Sequence, residues 1–115
     1  MSTRIAGVAI ANVRQDFDRA MMGVYRSAKA ECGYNARLFL RMLHEHGGLG
    51  TAKRLLAVDH SQYGFEKLWE CGRLDLTVEC LVLGPKYRDL FDAADLDRAR
   101  KRLRDHGFDP ARCEG

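Results

Sequence analysis

The stretch Leu74-Asp75-Leu76-Thr77-Val78-Glu79-Cys80-Leu81-Val82-Leu83 decides the fold, because it admits two readings. Its alternation and its β-branched residues allow a strand. As a helix, Leu76, Cys80 and Leu83 together with Val78, Leu81 and Val82 would cover most of the circumference with apolar side chains. The helix is the better reading: Asp75 can cap its start, Gly84-Pro85 can end it, and a strand would find a pairing partner only in the N-terminal segment. A helix apolar on nearly every side belongs in the middle of a bundle. The expected fold is therefore all-α, a compact multi-helix bundle with a central apolar helix near residues 75–83 and Leu81 deep inside it.

Glu79 lies within this central segment, and a carboxylate there must find a partner or give up its charge. Arg73, Asp75 and Glu79 are accordingly read as a structural polar core, with Arg73, Lys67 or a histidine as the expected partner of Glu79. A catalytic reading would pair Glu79 with Asp75, four residues apart on one helical face, for acid/base work. No nucleophile or metal-ligand cluster accompanies them, so no catalytic residue is assigned.

On the N-terminal side of this stretch, residues 15–32 place Phe17, Ala20, Met21, Val24, Tyr25, Ala28 and Cys32 on one side of a helix that Asp16 can cap and Gly33 can stop. Asn35 is the next expected N-cap, opening a helix with Phe39, Leu40, Met42, Leu43 and His46 as its stripe and Gly47-Gly48 as its end. Thr51–Val58 reads as a shorter helix burying Ala52, Leu55 and Leu56, and Phe65, Leu68 and Trp69 give an apolar face to another, after a connector at His60–Gly64. On the C-terminal side, Asp92 should cap a last helix whose stripe is Leu96, Ala99 and Leu103, with Arg98, Lys101, Arg102 and Arg104 toward solvent. The organisation expected is an N-terminal arm at 1–14, flexible or a strand, one helical domain at 15–108 and a frayed tail at 109–115.

A chain of 115 residues with 46% hydrophobic and 30% charged residues can bury about two-thirds of its surface as one domain. It contains no run of 18 apolar residues and no secretory leader pattern. Cys32, Cys71, Cys80 and Cys113 are spaced too widely for a CxxC motif, and reduced thiols in a cytoplasm are the expectation. The net charge of +3 is modest, but residues 1–41 hold seven Lys/Arg against three acids. That basic excess supplies a candidate nucleic-acid surface of Arg19, Arg26, Lys29, Arg37 and Arg41. Lys53 and Arg54 extend it from a helix-turn-helix-like segment at 35–58 that would turn Thr51, Lys53, Arg54 and Ala57 toward a groove.

Gly47-Gly48-Leu49-Gly50 fits neither the phosphate-loop spacing nor GxGxxG, and Glu45 after His44 does not complete HExxH. No cofactor or metal is expected, and no small-molecule substrate suggests itself.

The run from Tyr34 to Phe108 resembles an uncharacterised bacterial small helical module, found alone or at the end of larger proteins, some of them nuclease-linked. The resemblance rests on His46-Gly47-Gly48-Leu49-Gly50-Thr51-Ala52-Lys53, Gly64-Phe65, Leu68-Trp69 and Gly72-Arg73-Leu74-Asp75-Leu76-Thr77-Val78-Glu79. It implies an accessory domain and transfers no residue roles. The expected function is a non-enzymatic accessory module that binds a protein partner or a second copy of itself through the exposed faces of residues 15–41. The alternative is a DNA-binding regulator or nuclease accessory acting on duplex DNA through the basic residues.

Overall fold

A computed structural model of the chain describes the backbone of residues 2–58 and 64–115 and the side chains of residues 12–58 and 64–115. Among the described residues the fold is an all-α bundle without strands. Its helices are α1 (Ser2–Cys32), α2 (Arg37–Ala57), α3 (Phe65–Glu70), α4 (Val78–Leu83) and α5 (Ala93–Asp105), with single 3-10 turns at Leu74–Leu76, Arg88–Leu90 and Pro110–Arg112. His60 and the connector residues 59–63 lie outside the described residues.

Helix α1 is longer than its apolar stripe. The stripe itself is as read, with Phe17, Met21, Val24 and Ala28 buried at intervals of four, three and four. The backbone of residues 2–14, however, continues the same helix, so the expected arm is corrected to helix. No proline interrupts this stretch, Ala6, Ala9 and Ala11 are strong helix formers, and Asp16 lies inside the helix, not at its cap.

Helix α2 is two helical pieces joined at Gly47, whose φ of 73° and ψ of 178° no side-chain-bearing residue adopts readily. The break exposes backbone donors at the start of the second piece. Asp18 of α1 satisfies one of them: its Oδ1 accepts from the Gly48 N–H at 2.8 Å, an N-cap supplied by a neighbouring helix. The approach is close enough that a Cβ on Gly48 would come within 2.6 Å of that oxygen and 3.0 Å of the Asp18 Cα. Asn35, the expected cap of the first piece, instead accepts from the Tyr25 hydroxyl at 2.6 Å, and Ala36 occupies the cap position with no side-chain bond.

The deciding stretch is helical but not one helix. Thr77, with extended backbone, separates the 3-10 turn from α4: its Oγ1 accepts from the Cys80 N–H at 3.2 Å and donates to the Leu74 carbonyl at 2.7 Å. Thr77 takes the capping role expected of Asp75, which is left exposed. α4 buries Val78, Glu79, Val82 and Leu83, whereas Leu81 is only half-buried, so its central placement is corrected.

α4 packs along α5, α5 against α2, and α2 along α1. Phe17 closes the space between them edge-on to Tyr87 at 5.2 Å and to Phe91 at 5.6 Å. Asp92 caps α5 as expected, accepting from the Asp95 N–H at 2.9 Å, and this bond holds its carboxyl below the usual carboxylate range. The expected frayed tail is corrected as well: Cys113 is bonded to Cys80, and Glu114 accepts from Arg100 Nε at 2.6 Å.

Candidate functional site

The charged cluster read as one polar core separates into two places. Glu79 is fully buried, and its Oε2 lies 2.6 Å from Arg102 Nη1. The same guanidinium donates to the Leu55 carbonyl at 3.2 Å and to the Val58 carbonyl, two of the acceptors left over where α2 ends. One side chain of α5 thus pairs with α4 and caps α2. Of the expected partners, Arg73 and Lys67 are placed elsewhere, on Glu31 and Glu70, and His60 lies outside the described residues. Arg102 fills the role, although its charge had placed it in solvent. A signal was there: Asp95, Ala99, Arg102 and His106 follow one another at helical intervals along the seam that α5 turns inward.

Arg73 is at the surface. Its Nε and Nη2 bind the two oxygens of Asp75 at 3.1 Å each, and Nη1 reaches Glu31 Oε2 at 3.1 Å. The bidentate bond from Arg73 is the main reason the Asp75 carboxyl is held below its usual value. This network links the end of α1 to the turn after α3. Glu79 and Asp75 therefore do not share a site, and the arrangement offers no acid/base pair.

The seven basic candidates, Arg19, Arg26, Lys29, Arg37, Arg41, Lys53 and Arg54, are all exposed. Arg19 lies 3.4 Å from Asp16, Arg41 3.6 Å from Glu45, and Lys53 4.0 Å from Asp95 with its ammonium 5.9 Å over the Phe91 ring. Thr51 is not presented to any groove. It is fully buried on the face that carries Ala52 and Leu55, and its hydroxyl has no hydrogen-bond partner among the described residues. The outward face of that piece is Lys53, Arg54 and Ala57.

His46, read as part of a stripe, is exposed beside Glu45, and His44 is exposed too. The His106 ring packs edge-on against Phe65 at 4.7 Å and against Trp69 at 5.2 Å, with Nδ1 2.8 Å from the Arg102 carbonyl. Among the described residues no group of three or more His, Cys, Asp or Glu side chains is placed to hold a metal ion. No helix among them is long and apolar enough to cross a membrane.

A groove of about 480 Å³, which apolar periodicity does not reveal, runs along α1. Ala20, Gly23 and Ser27 of α1 form one wall, and Leu76, Leu81 and Tyr87 form the other. The small residues keep α1 from filling the space: a Cβ on Gly23 would meet nothing within 4 Å. Lys86 bonds Asp16 across one end, which lowers the Asp16 pKa and raises that of Lys86, and the Arg73 network lies at the other end. Helical spacing on α1 was legible in the sequence, but the opposite wall comes from a turn and a capped helix that periodicity does not locate.

The four cysteines form two disulfides, Cys32–Cys71 and Cys80–Cys113, which overturns the expectation of reduced thiols. The Cα atoms of the pairs are 5.9 and 5.2 Å apart. Wide sequence spacing, 39 and 33 residues, hid partners that the fold brings together. Compared with known proteins, the chain matches no family model, no curated protein and no solved structure.

Proposed function

We propose that this protein is a non-enzymatic helical accessory module that binds a macromolecular partner through the groove along α1, and that the first occupant to consider is a second copy of the chain. The observation that carries the reading is the groove itself: an apolar trough of about 480 Å³ whose α1 wall is made of Ala20, Gly23 and Ser27, so that another surface can approach the helix backbone closely. Its rim supports a second copy. The Arg73–Asp75–Glu31 network, with one acid in excess, marks one end and the Lys86–Asp16 pair the other, and two copies related by a two-fold axis and laid antiparallel would set each network against the other copy's pair.

Sedimentation velocity over a concentration series tests this. The wild-type chain should shift from monomer to dimer, and Gly23→Trp, which fills the trough from a solvent-open position, should stay monomeric with an unchanged melting temperature. A wild-type chain that remains monomeric throughout removes the second copy as occupant.

The seven exposed basic residues support a second reading, binding to duplex DNA. An anisotropy titration across a salt series decides it. Binding that weakens with salt and on joint replacement of Arg26, Lys29, Lys53 and Arg54 would put nucleic acid in the partner's place.

A further inference from the structure

We propose that the Cys32–Cys71 disulfide is a thiol-exchange site, open to a dithiol reductant while the bundle stays folded, and that Cys80–Cys113 is the structural bond. Three observations carry this.

The first is access. Both bonds border open space, Cys32–Cys71 a surface cleft of about 440 Å³ and Cys80–Cys113 the groove along α1, but Cys71 is the one exposed cysteine, Cys32, Cys80 and Cys113 being half-buried. The second is the surroundings of each bond. Each disulfide runs beside an ion pair from the adjacent residue: Glu31–Arg73 beside Cys32–Cys71, and Arg100–Glu114 beside Cys80–Cys113. The outer ion pair has side chains 37% and 53% exposed, the inner one 29% and 30%, so water and reductant reach the first neighbourhood more readily. The third is what opening each bond would release. α3 remains held by Phe65 and Leu68, both buried, after its link to α1 is cut. The C-terminal segment has a smaller hold, Pro110 being its one buried residue beyond Leu103.

The exchange balances without any group from elsewhere in the protein. A thiolate of the dithiol attacks Cys71 Sγ, the Cys32–Cys71 bond breaks, and Cys32 leaves with the electron pair as a thiolate. The second thiol of the reductant, deprotonated, then attacks its own sulfur in the mixed disulfide, releasing Cys71 as a thiolate. The reductant ends as a cyclic disulfide. Two electrons and two protons pass to the protein, and the reverse sequence with an oxidised dithiol closes the bond again.

The experiment uses the full oxidised chain, a dithiothreitol series in native buffer, quenching with iodoacetamide, peptide mapping by mass spectrometry, and far-ultraviolet circular dichroism on the same samples. Cys32 and Cys71 should be labelled at roughly tenfold lower dithiothreitol than Cys80 and Cys113, with the helical signal retained. The pair of substitutions Cys32→Ser and Cys71→Ser should abolish that first labelling step and leave the second where it was. Labelling of both disulfides together, of Cys80 and Cys113 first, of all four cysteines without reductant, or loss of helical signal in step with the first labelling would each overturn the proposal.

Discussion

Arg102 and Arg73 each bind a carboxylate within 3.1 Å, yet they lie in opposite environments. Arg102 reaches from α5 into the bundle with its side chain 10% exposed, against a Glu79 that is 0% exposed, and spends its remaining donors on the end of α2. Arg73 spreads over Asp75 and Glu31 at the surface, where water competes for every bond. The difference teaches which charges hold the fold. A surface network adds little to stability, whereas a buried pair cannot lose one member without stranding the other.

The largest expected effect follows directly. Glu79→Gln leaves the Arg102 charge without its counter-ion in the interior and should lower unfolding stability by about 3 kcal/mol in a denaturant titration. Gel-filtration behaviour and the groove should be unaffected, because Glu79 does not line it. A variant that melts with the wild type would mean the pair does not organise the bundle.

Gly48→Ala comes next and extends the comparison from charges to helix contacts. The new methyl would press on the Asp18 Cα, a backbone atom that can yield only by moving α1, and it would crowd the carboxylate that caps the second piece of α2. A loss of about 2 kcal/mol is expected. Gly23→Ala is its counterpart: the methyl enters open space in mid-helix, so the better helix former should stabilise the protein by about 0.7 kcal/mol. Equal effects at the two positions would contradict the close approach at Gly48.

The stretch from Leu74 to Leu83 shows how far the sequence could be read. Its helical character and its burial followed from apolar coverage and from Gly84-Pro85, and the same reasoning located the stripe of α1 and the Asp92 cap. What failed was the internal break. A threonine with an amide donor three residues on competes with Asp75 for the cap, and apolar periodicity cannot choose between them. Once Thr77 caps α4, Leu81 turns half outward to the groove and Leu83 inward. Leu83→Ala should therefore cost about 3 kcal/mol and Leu81→Ala about 1 kcal/mol by thermal or denaturant unfolding. The reverse order would restore Leu81 to the centre.

Arg102 was missed for a related reason, since its charge outweighed its position on the inward seam of α5. The disulfides were missed because pairing depends on tertiary proximity that spacing alone does not encode. The candidate site was thus legible on one wall only. The groove needs α1, which the sequence describes well, and the turn at Leu76 and Tyr87, which it does not.

The smallest expected effect belongs to the surface network and sharpens the contrast with Arg102. Arg73→Ala should lower the neutral-pH melting temperature only slightly, because both partners regain water. Its signature is electrostatic. With Arg73 present, the Asp75 carboxyl is held below 3.8, chiefly by the hydrogen bond from the guanidinium, so its share of stability is in place above 3.8 and is lost as pH falls through the folded-state value. In Arg73→Ala the Asp75 pKa should move up toward 3.8, a shift that carboxyl-detected NMR titration reads directly. Wild-type and variant stability curves should then converge on the acid side, since protonated Asp75 has no charge for Arg73 to hold. Curves that instead separate as the pH falls would show that Arg73 stabilises the fold by packing and not by its carboxylate partners, and the two arginines would be less different than their surroundings suggest.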